Sequence, residues 1–199
     1  QKKFHVGGIL RGEQIWCQLF SEPSAGSDLA GLRTRSRRDG DDWVINGQKI
    51  WTSGAHQADY GILVTRSDPN AEKHKGLTYF FVDMKTPGIE VRPIKQISGV
   101  SNFNEVFFTD ARIPDSNRFG REGEGWKVAI TTLMNERVVA GERPPPDFED
   151  IFALSQQLEI ETGPAIRNSA IREKLANWYI QTQGVRLTRM RSITALSRG

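Results

Sequence analysis

The hydrophobic period of this chain changes once, near Gly120, and that switch restricts it to a β-rich unit followed by helices. Before the switch, short apolar segments alternate with turn signals. Residues 33–38 (RTRSRR) lead to Asp39-Gly40, residues 43–45 (WVI) to Asn46-Gly47, and residues 48–52 (QKIWT) follow. Asp-Gly and Asn-Gly tolerate positive φ, so the expected local form is a three-stranded meander with two tight hairpins. YGILVTR (60–66) and LTYFFVD (77–83) are continuous apolar strands separated by the polar loop 68–76. Pro87-Gly88 turns the chain into a strand over 89–97, and NEVFFT (104–109) completes about seven strands, a sandwich or flattened barrel.

After Gly120 the spacing is helical. Residues 125–142 place Trp126, Ile130, Leu133, Met134 and Val138 on one stripe bordered by Arg137, and Pro144-Pro145-Pro146 stops the helix. Residues 148–161 form a weaker helix. Residues 167–196 form a long one, with Ile171, Leu175, Trp178, Tyr179, Val185 and Leu187 as its buried face. Nothing downstream covers that face, so the chain reads as cut. The fold class is therefore α+β, with a β-unit at 1–118 and part of a helical bundle at 119–199.

Composition narrows the function. The 199 residues carry a formal charge of +3 and a single cysteine, Cys17, so an internal disulfide is excluded and a cytoplasmic setting is expected. No apolar run reaches the roughly 18 to 20 residues of a membrane span. Arginines cluster at 33, 35, 37 and 38 and again at 186, 189, 191 and 198. Without interleaved aromatics they read as solvated faces rather than as a nucleic-acid platform. His56 and His74 have no second ligand type beside them, so no metal site is expected.

Two segments carry the chemistry. WCQLFSEPSAGSD (16–28) ends in a loop whose Gly26 permits close backbone approach and whose Ser21, Ser24 and Ser27 offer hydroxyls to a phosphate or a polar ring edge. Read by itself, on residue types alone, it is better taken as an ordinary Ser/Gly/Pro surface loop. NGQKIWTSG (46–54) follows one hairpin later, then the Pro-Gly turn, FFTDARIP (107–114), and a helix entered by GEGW (123–126) with a Glu136-Arg137 pair. Five features in this order resemble the acyl-CoA dehydrogenase family, over residues from about Ile15 to at least Ala140. Within the family the resemblance is nearer to the actinobacterial lipid-degrading branch than to the short-chain mitochondrial enzymes.

The resemblance implies the middle β-domain and the start of the C-terminal helical domain of a flavoenzyme, with the family's N-terminal helical domain absent from this chain. It implies FAD as cofactor and an acyl-CoA thioester oxidised to the trans-2-enoyl-CoA. It further implies an electron-transfer flavoprotein as electron acceptor and a homo- or hetero-oligomeric assembly, dimer or tetramer. By position, Gln18, Phe20 and Ser21 match the flavin-ring contacts, and Gly26 and Ser27 the loop at the flavin pyrophosphate and the substrate's pantetheine. Trp51 matches the tryptophan beside the flavin, Thr52 follows it, and Ser53 matches the hydroxyl that bonds the hydride-accepting ring nitrogen. Glu136 matches the base of the isovaleryl and long-chain branches, and Arg137 its charge and substrate partner. In most members the base lies farther downstream, so Glu136 and a residue beyond Gly199 both stand as candidates. Short-chain members carry an aspartate where this chain has Met134, and the Arg-x-x-Phe-Gly signature near Pro144 is missing. Two alternatives stay open: a non-catalytic flavin-binding subunit or DNA-binding relative of the same fold, and a flavin oxidase or monooxygenase on this scaffold. Cys17 is read as a small core residue.

Overall fold

A computed structural model describes residues 2–139 and 146–198, so Pro144-Pro145 and the expected helix end at Glu142 lie outside the described residues, as does the side chain of Val138. Two compact units divide the chain, residues 1–131 and 132–199. None of the described helices is long and apolar enough to cross a membrane.

The first unit opens with helix α1 (Lys2–Leu10) and then builds eight strands: β1 (Trp16–Leu19), β2 (Arg35–Asp39), β3 (Asp42–Ser53), β4 (Tyr60–Arg66), β5 (Leu77–Asp83), β6 (Ile89–Ile94), β7 (Phe103–Pro114) and β8 (Arg118–Phe119). They form one mixed sheet in the order β6-β7-β3-β2-β4-β5-β8, with β1 running parallel to β4. The sheet curls on itself. Trp43 of β3 and Phe80 of β5, with β2 and β4 between their strands in that order, meet with ring centroids 5.4 Å apart. Leu19, Ile45, Leu63, Val82, Val106 and Ile113 fill the same interior. β5 is buried almost throughout because the start of the next helix, α2 (Gly125–Val139), presses on it. A Cβ on Gly125 would lie 2.7 Å from the Leu77 carbonyl carbon and oxygen. A strand covered on both sides must be apolar on both, which is why LTYFFVD shows no alternation.

Asp115 fastens the end of β7 to this interior. It accepts from Trp43 Nε1 (2.7 Å) and Arg118 Nε (2.8 Å). The Arg118 guanidinium first, and the Trp43 N–H after it, hold its carboxyl well below the usual carboxylate range. On the outer side, His5 of α1 packs edge-on against Trp16 (5.0 Å) and Tyr60 (4.9 Å), and Trp16 stacks on Tyr60 (5.0 Å).

Four expectations need correction. Asp39-Gly40 does turn the chain between β2 and β3, but Asn46-Gly47 does not, and β3 runs straight through it. The pairing with β7 slips there instead, with Asp110 (φ 47°) as the extra residue and the Asn46 and Asp110 side chains bonded at 2.8 Å. Gly47 is required by a close approach: at φ 151°, a Cβ would sit 2.5 Å from Thr34 Oγ1 and 2.6 Å from Thr34 Cα. Among the described side chains of α2, Gly125 and Ala129, four apart, are buried and Trp126 and Leu133 half-buried, while Ile130 and Met134 are exposed. The close backbone approach to β5 selects small residues, not the large apolar stripe.

The third and fourth corrections concern the second unit. There α3 (Phe148–Gln157) starts at a capping box between Asp147 and Asp150. It stops at Leu158, and the remainder of the expected helix becomes a small hairpin of β9 (Glu159–Ile160) and β10 (Gly163–Pro164). α4 (Ser169–Ser197) begins at Asn168, whose side chain accepts from the Ala170 and Ile171 amides. Phe148 packs against Trp178 (5.8 Å) and Tyr179 (5.0 Å). Of the expected buried face, Leu175 is buried and Ile171 and Trp178 are half-buried, but Tyr179, Val185 and Leu187 are exposed. At about 1.5 Å per residue α4 is roughly three times as long as α3, so α3 covers only its first turns.

Candidate functional site

The loop that follows β1 is a tight, self-bonded turn. Glu22 and Ala25 exchange both backbone hydrogen bonds (2.9 and 3.0 Å) around Pro23-Ser24, which leaves Gly26 and Ser27 exposed beyond it. A Cβ on Gly26 would meet nothing within 4 Å. The Ile50 amide donates to the Ser21 carbonyl (2.9 Å), so the loop lies alongside the end of β3. This explains why two motifs one hairpin apart in sequence form one surface.

At that point β3 bulges. Ile50 and Trp51 together oppose Glu105, because the register steps from Lys49↔Val106 to Thr52↔Asn104. Trp51 takes φ 59°, a left-handed conformation that costs a non-glycine residue about 1–3 kcal/mol and that tends to cluster where a ligand is gripped. The bulge alters which side chains face out. Trp51 is 58% exposed, its ring meeting Phe103 edge-on at 6.1 Å, and Ser53 is exposed, whereas Thr52 between them is 1% exposed. The Thr52 hydroxyl is buried without a hydrogen-bond partner among the described residues.

Beneath this surface sits a pair that no sequence signal singled out. Lys49, fully buried, donates to Glu22 Oε1 (2.8 Å) and to the Phe20 carbonyl (3.0 Å). Glu22 also accepts from the Arg33 amide (2.6 Å) and the Thr34 amide (2.9 Å). Burial lowers the Lys49 ammonium, and the Glu22 carboxylate opposes that. Burial also pushes the Glu22 carboxyl up, but Lys49 and the two amide partners more than offset it and keep it below its ordinary range. One ion pair thus ties together the end of β1, the approach to β2 and the edge of the bulge. A second brace lies on the other side. Asn104 Nδ2 donates to the Thr52 carbonyl (2.9 Å), and Asn104 Oδ1 lies 3.1 Å from His56 Nδ1. The nearest thing to a signal for the first brace was a glutamate and a lysine inside the two motifs.

Of the residues singled out in sequence, Gln18 and Ser21 are half-buried, Phe20 is buried edge-on to Tyr79 (5.9 Å), and Gly26, Ser27, Trp51 and Ser53 are exposed. All of these, with Thr52, belong to the first unit, gathered by the Ile50–Ser21 and Lys49–Phe20 bonds. Glu136 and Arg137 belong to the second unit and are exposed on α2, with Arg137 Nη1 3.9 Å from Met134 Sδ. Cys17 is buried 3.8 Å from Met84 Sδ, and burial pushes its thiol up to about 12, so it is not a nucleophile at neutral pH.

An exposed indole, a hydroxyl two residues on and an open Gly-Ser loop suit a flat aromatic ring carrying a phosphate arm. Residues 17–111 match the acyl-CoA dehydrogenase middle domain, and residues 123–199 match the acyl-CoA dehydrogenase C-terminal domain. The chain belongs to the acyl-CoA dehydrogenase family, a family of flavoprotein oxidoreductases of lipid metabolism. It is 56% identical over 158 residues to acyl-CoA dehydrogenase FadE34 of Mycobacterium tuberculosis, covering 78% of this chain and 22% of that protein. It is 40% identical over 196 residues to acyl-CoA dehydrogenase IpdE1 of Mycolicibacterium smegmatis, covering 94% of this chain and 50% of that one. Among solved structures, the Tcur3481-Tcur3483 steroid ACAD superposes with a TM-score of 0.83 at 35% identity, over 100% of this chain and 51% of its own. The ChsE4-ChsE5 complex of Mycobacterium tuberculosis gives 0.79 at 30%, over 99% and 52%. The chain thus spans half or less of the length of these two curated relatives.

Proposed function

We propose that this chain is the flavin-holding part of an FAD-dependent acyl-CoA dehydrogenase, with residues 1–118 as middle domain and 119–199 as the start of the C-terminal helical domain. The whole enzyme would convert an acyl-CoA thioester to the trans-2-enoyl-CoA in the cytoplasm and pass its electrons to an electron-transfer flavoprotein. The observation that carries this reading is the strained bulge that turns Trp51 outward beside the Ser21–Ile50 seam. Bound flavin supplies the two-electron acceptor; the protein supplies position and polarity.

In this reading the indole of Trp51 packs on the ring system and the Ser53 hydroxyl donates to its polar edge. Gln18, Phe20 and Ser21 orient the ring through backbone amides and a hydroxyl. Gly26 and Ser27 admit the phosphate arm and the pantetheine. Glu136 takes the proton from the acyl α-carbon, and Arg137 is the charge partner of its carboxylate before that transfer. A base for such a proton must sit within hydrogen-bond reach of it and be shielded from water when substrate is bound. Likeness to a protein named a steroid ACAD places thioesters of steroid-derived acids first among the substrates to try.

The test is anaerobic titration of the FAD-loaded full-length protein with a panel of acyl-CoA thioesters, read by visible absorption. Bleaching of the flavin band by one thioester supports the dehydrogenase. A band that never bleaches points to a non-catalytic relative, and rapid recovery in air points to an oxidase. Glu136→Gln with normal flavin content and no bleaching supports the base assignment; unchanged bleaching moves the base elsewhere.

A further inference from the structure

A cavity of about 610 Å³ opens along one edge of β2, within the first unit and away from the residues assigned above to flavin. β2 pairs with β3 along its whole length, but its other edge meets β4 only at Arg35↔Arg66. Side chains from both faces of the strand therefore reach the open edge. Five of the residues lining the cavity are arginines (Arg33, Arg35, Arg37, Arg38 and Arg66), against one carboxylate, Glu122.

The five are not equivalent. Arg38 bonds the Gly40 carbonyl (3.2 Å) and lies 3.8 Å from Asp115. Arg66 is half-buried and held by the carbonyls of Ala30 (2.6 Å), Leu32 (3.3 Å) and Lys73 (3.1 Å), which fix its guanidinium without cancelling its charge. Arg33, Arg35 and Arg37 make no side-chain hydrogen bond or ion pair among the described residues and are exposed. Alternate residues of a strand stand about 7 Å apart, so these three repel one another, and a polyanion laid along them would relieve that repulsion. Guanidinium groups match phosphate oxygens two at a time. The volume falls in the range of roughly 300–1,000 Å³ usual for small-molecule sites.

We propose that this groove binds a small ligand carrying two or more phosphate groups, with Arg33, Arg35 and Arg37 as its mobile clasps and Arg66 as its fixed anchor. Two sources share that chemistry: the phosphorylated nucleotide end of a coenzyme A thioester, and a free diphosphate or nucleoside diphosphate. The first source rests on the proposed function; the groove itself does not.

The experiment uses the FAD-loaded full-length protein and its Arg33→Ser/Arg35→Ser/Arg37→Ser variant, titrated calorimetrically with inorganic pyrophosphate, ADP, coenzyme A and duplex DNA. All three side chains are exposed, so the fold should persist; the single change Arg35→Gln serves if it does not. Pyrophosphate should bind the parent and weaken roughly tenfold or more in the triple variant, as loss of charge-assisted hydrogen bonds dictates. Binding should also weaken at high salt. Coenzyme A weakened in parallel and displaced by pyrophosphate identifies the thioester as the source. Coenzyme A unaffected while pyrophosphate and ADP are lost identifies a separate phosphate ligand. Equal binding of every probe by parent and variant overturns the proposal, as does arginine-dependent binding confined to DNA. The pyrophosphate result does not depend on whether any acyl-CoA bleaches the flavin, so the two readings fail separately.

Discussion

Replacing Lys49 by methionine should destabilise the first unit severely, and the geometry sets the scale. Lys49 and Glu22 have side-chain exposures of 0% and 4% and meet at 2.8 Å. In Lys49→Met the Glu22 carboxylate keeps the Arg33 and Thr34 amides but loses the Lys49 ammonium, its one side-chain cation among the described residues, and the Phe20 carbonyl loses its ammonium donor. Removing one partner of a buried ion pair costs about 3–5 kcal/mol, because the remaining charge is stranded in a low dielectric. A domain's whole stability is about 5–15 kcal/mol. With a urea slope of about 1–3 kcal/mol per molar, the midpoint should fall by about 2 M. The same bonds hold Phe20 beside the bulge, so flavin should be lost at a lower urea concentration than in the parent, followed by flavin fluorescence alongside circular dichroism. Glu22→Gln/Lys49→Met removes both charges and should recover more than half of the lost midpoint. A Lys49→Met midpoint equal to the parent's, or a double variant worse than the single, would refute the stranded-charge reasoning.

Three further outcomes follow from particular contacts. Gly47→Ala should cost about 2 kcal/mol or more in urea unfolding, since its Cβ would press on the Thr34 backbone from a positive φ; a neutral result would mean that β3 and Thr34 separate freely. Thr52→Val should hold or raise stability by about 1 kcal/mol, because the Thr52 hydroxyl is buried without a partner among the described residues; a loss of that size would reveal a partner for it. Asp115 has a carboxyl depressed by Arg118 and Trp43, so its contribution is complete above the ordinary carboxylate range and is lost as pH falls through and below it. The melting-temperature gap between parent and Asp115→Asn should therefore narrow as the pH is lowered from neutral toward 3, and a gap that stays constant would rule out this linkage.

What the sequence by itself determined is whatever depends on short stretches of chain. YGILVTR and LTYFFVD read as buried strands because their apolar, β-branched and aromatic side chains suit a pleat covered on both faces, and Asp39-Gly40 read as a hairpin because its preference for positive φ is local. The helical period after Gly120 was legible for the same reason, and the loop pair around Ser21 and Trp51 was legible through its resemblance to a family. Tertiary structure decided the rest. Asn46-Gly47 has the composition of a turn, yet it lies within a strand because Thr34 crosses it too closely for any side chain. Ile130 on α2 and Val185 and Leu187 on α4 have the spacing of buried positions, yet they are exposed: α2 approaches β5 through its small residues, and α3 is too short to cover α4. The outward turn of Trp51 and the pairing of Lys49 with Glu22 depend on which residues stand opposite one another across β3, β7 and the Ser21 loop. Such pairings join residues tens of positions apart, and local propensity carries no information about register.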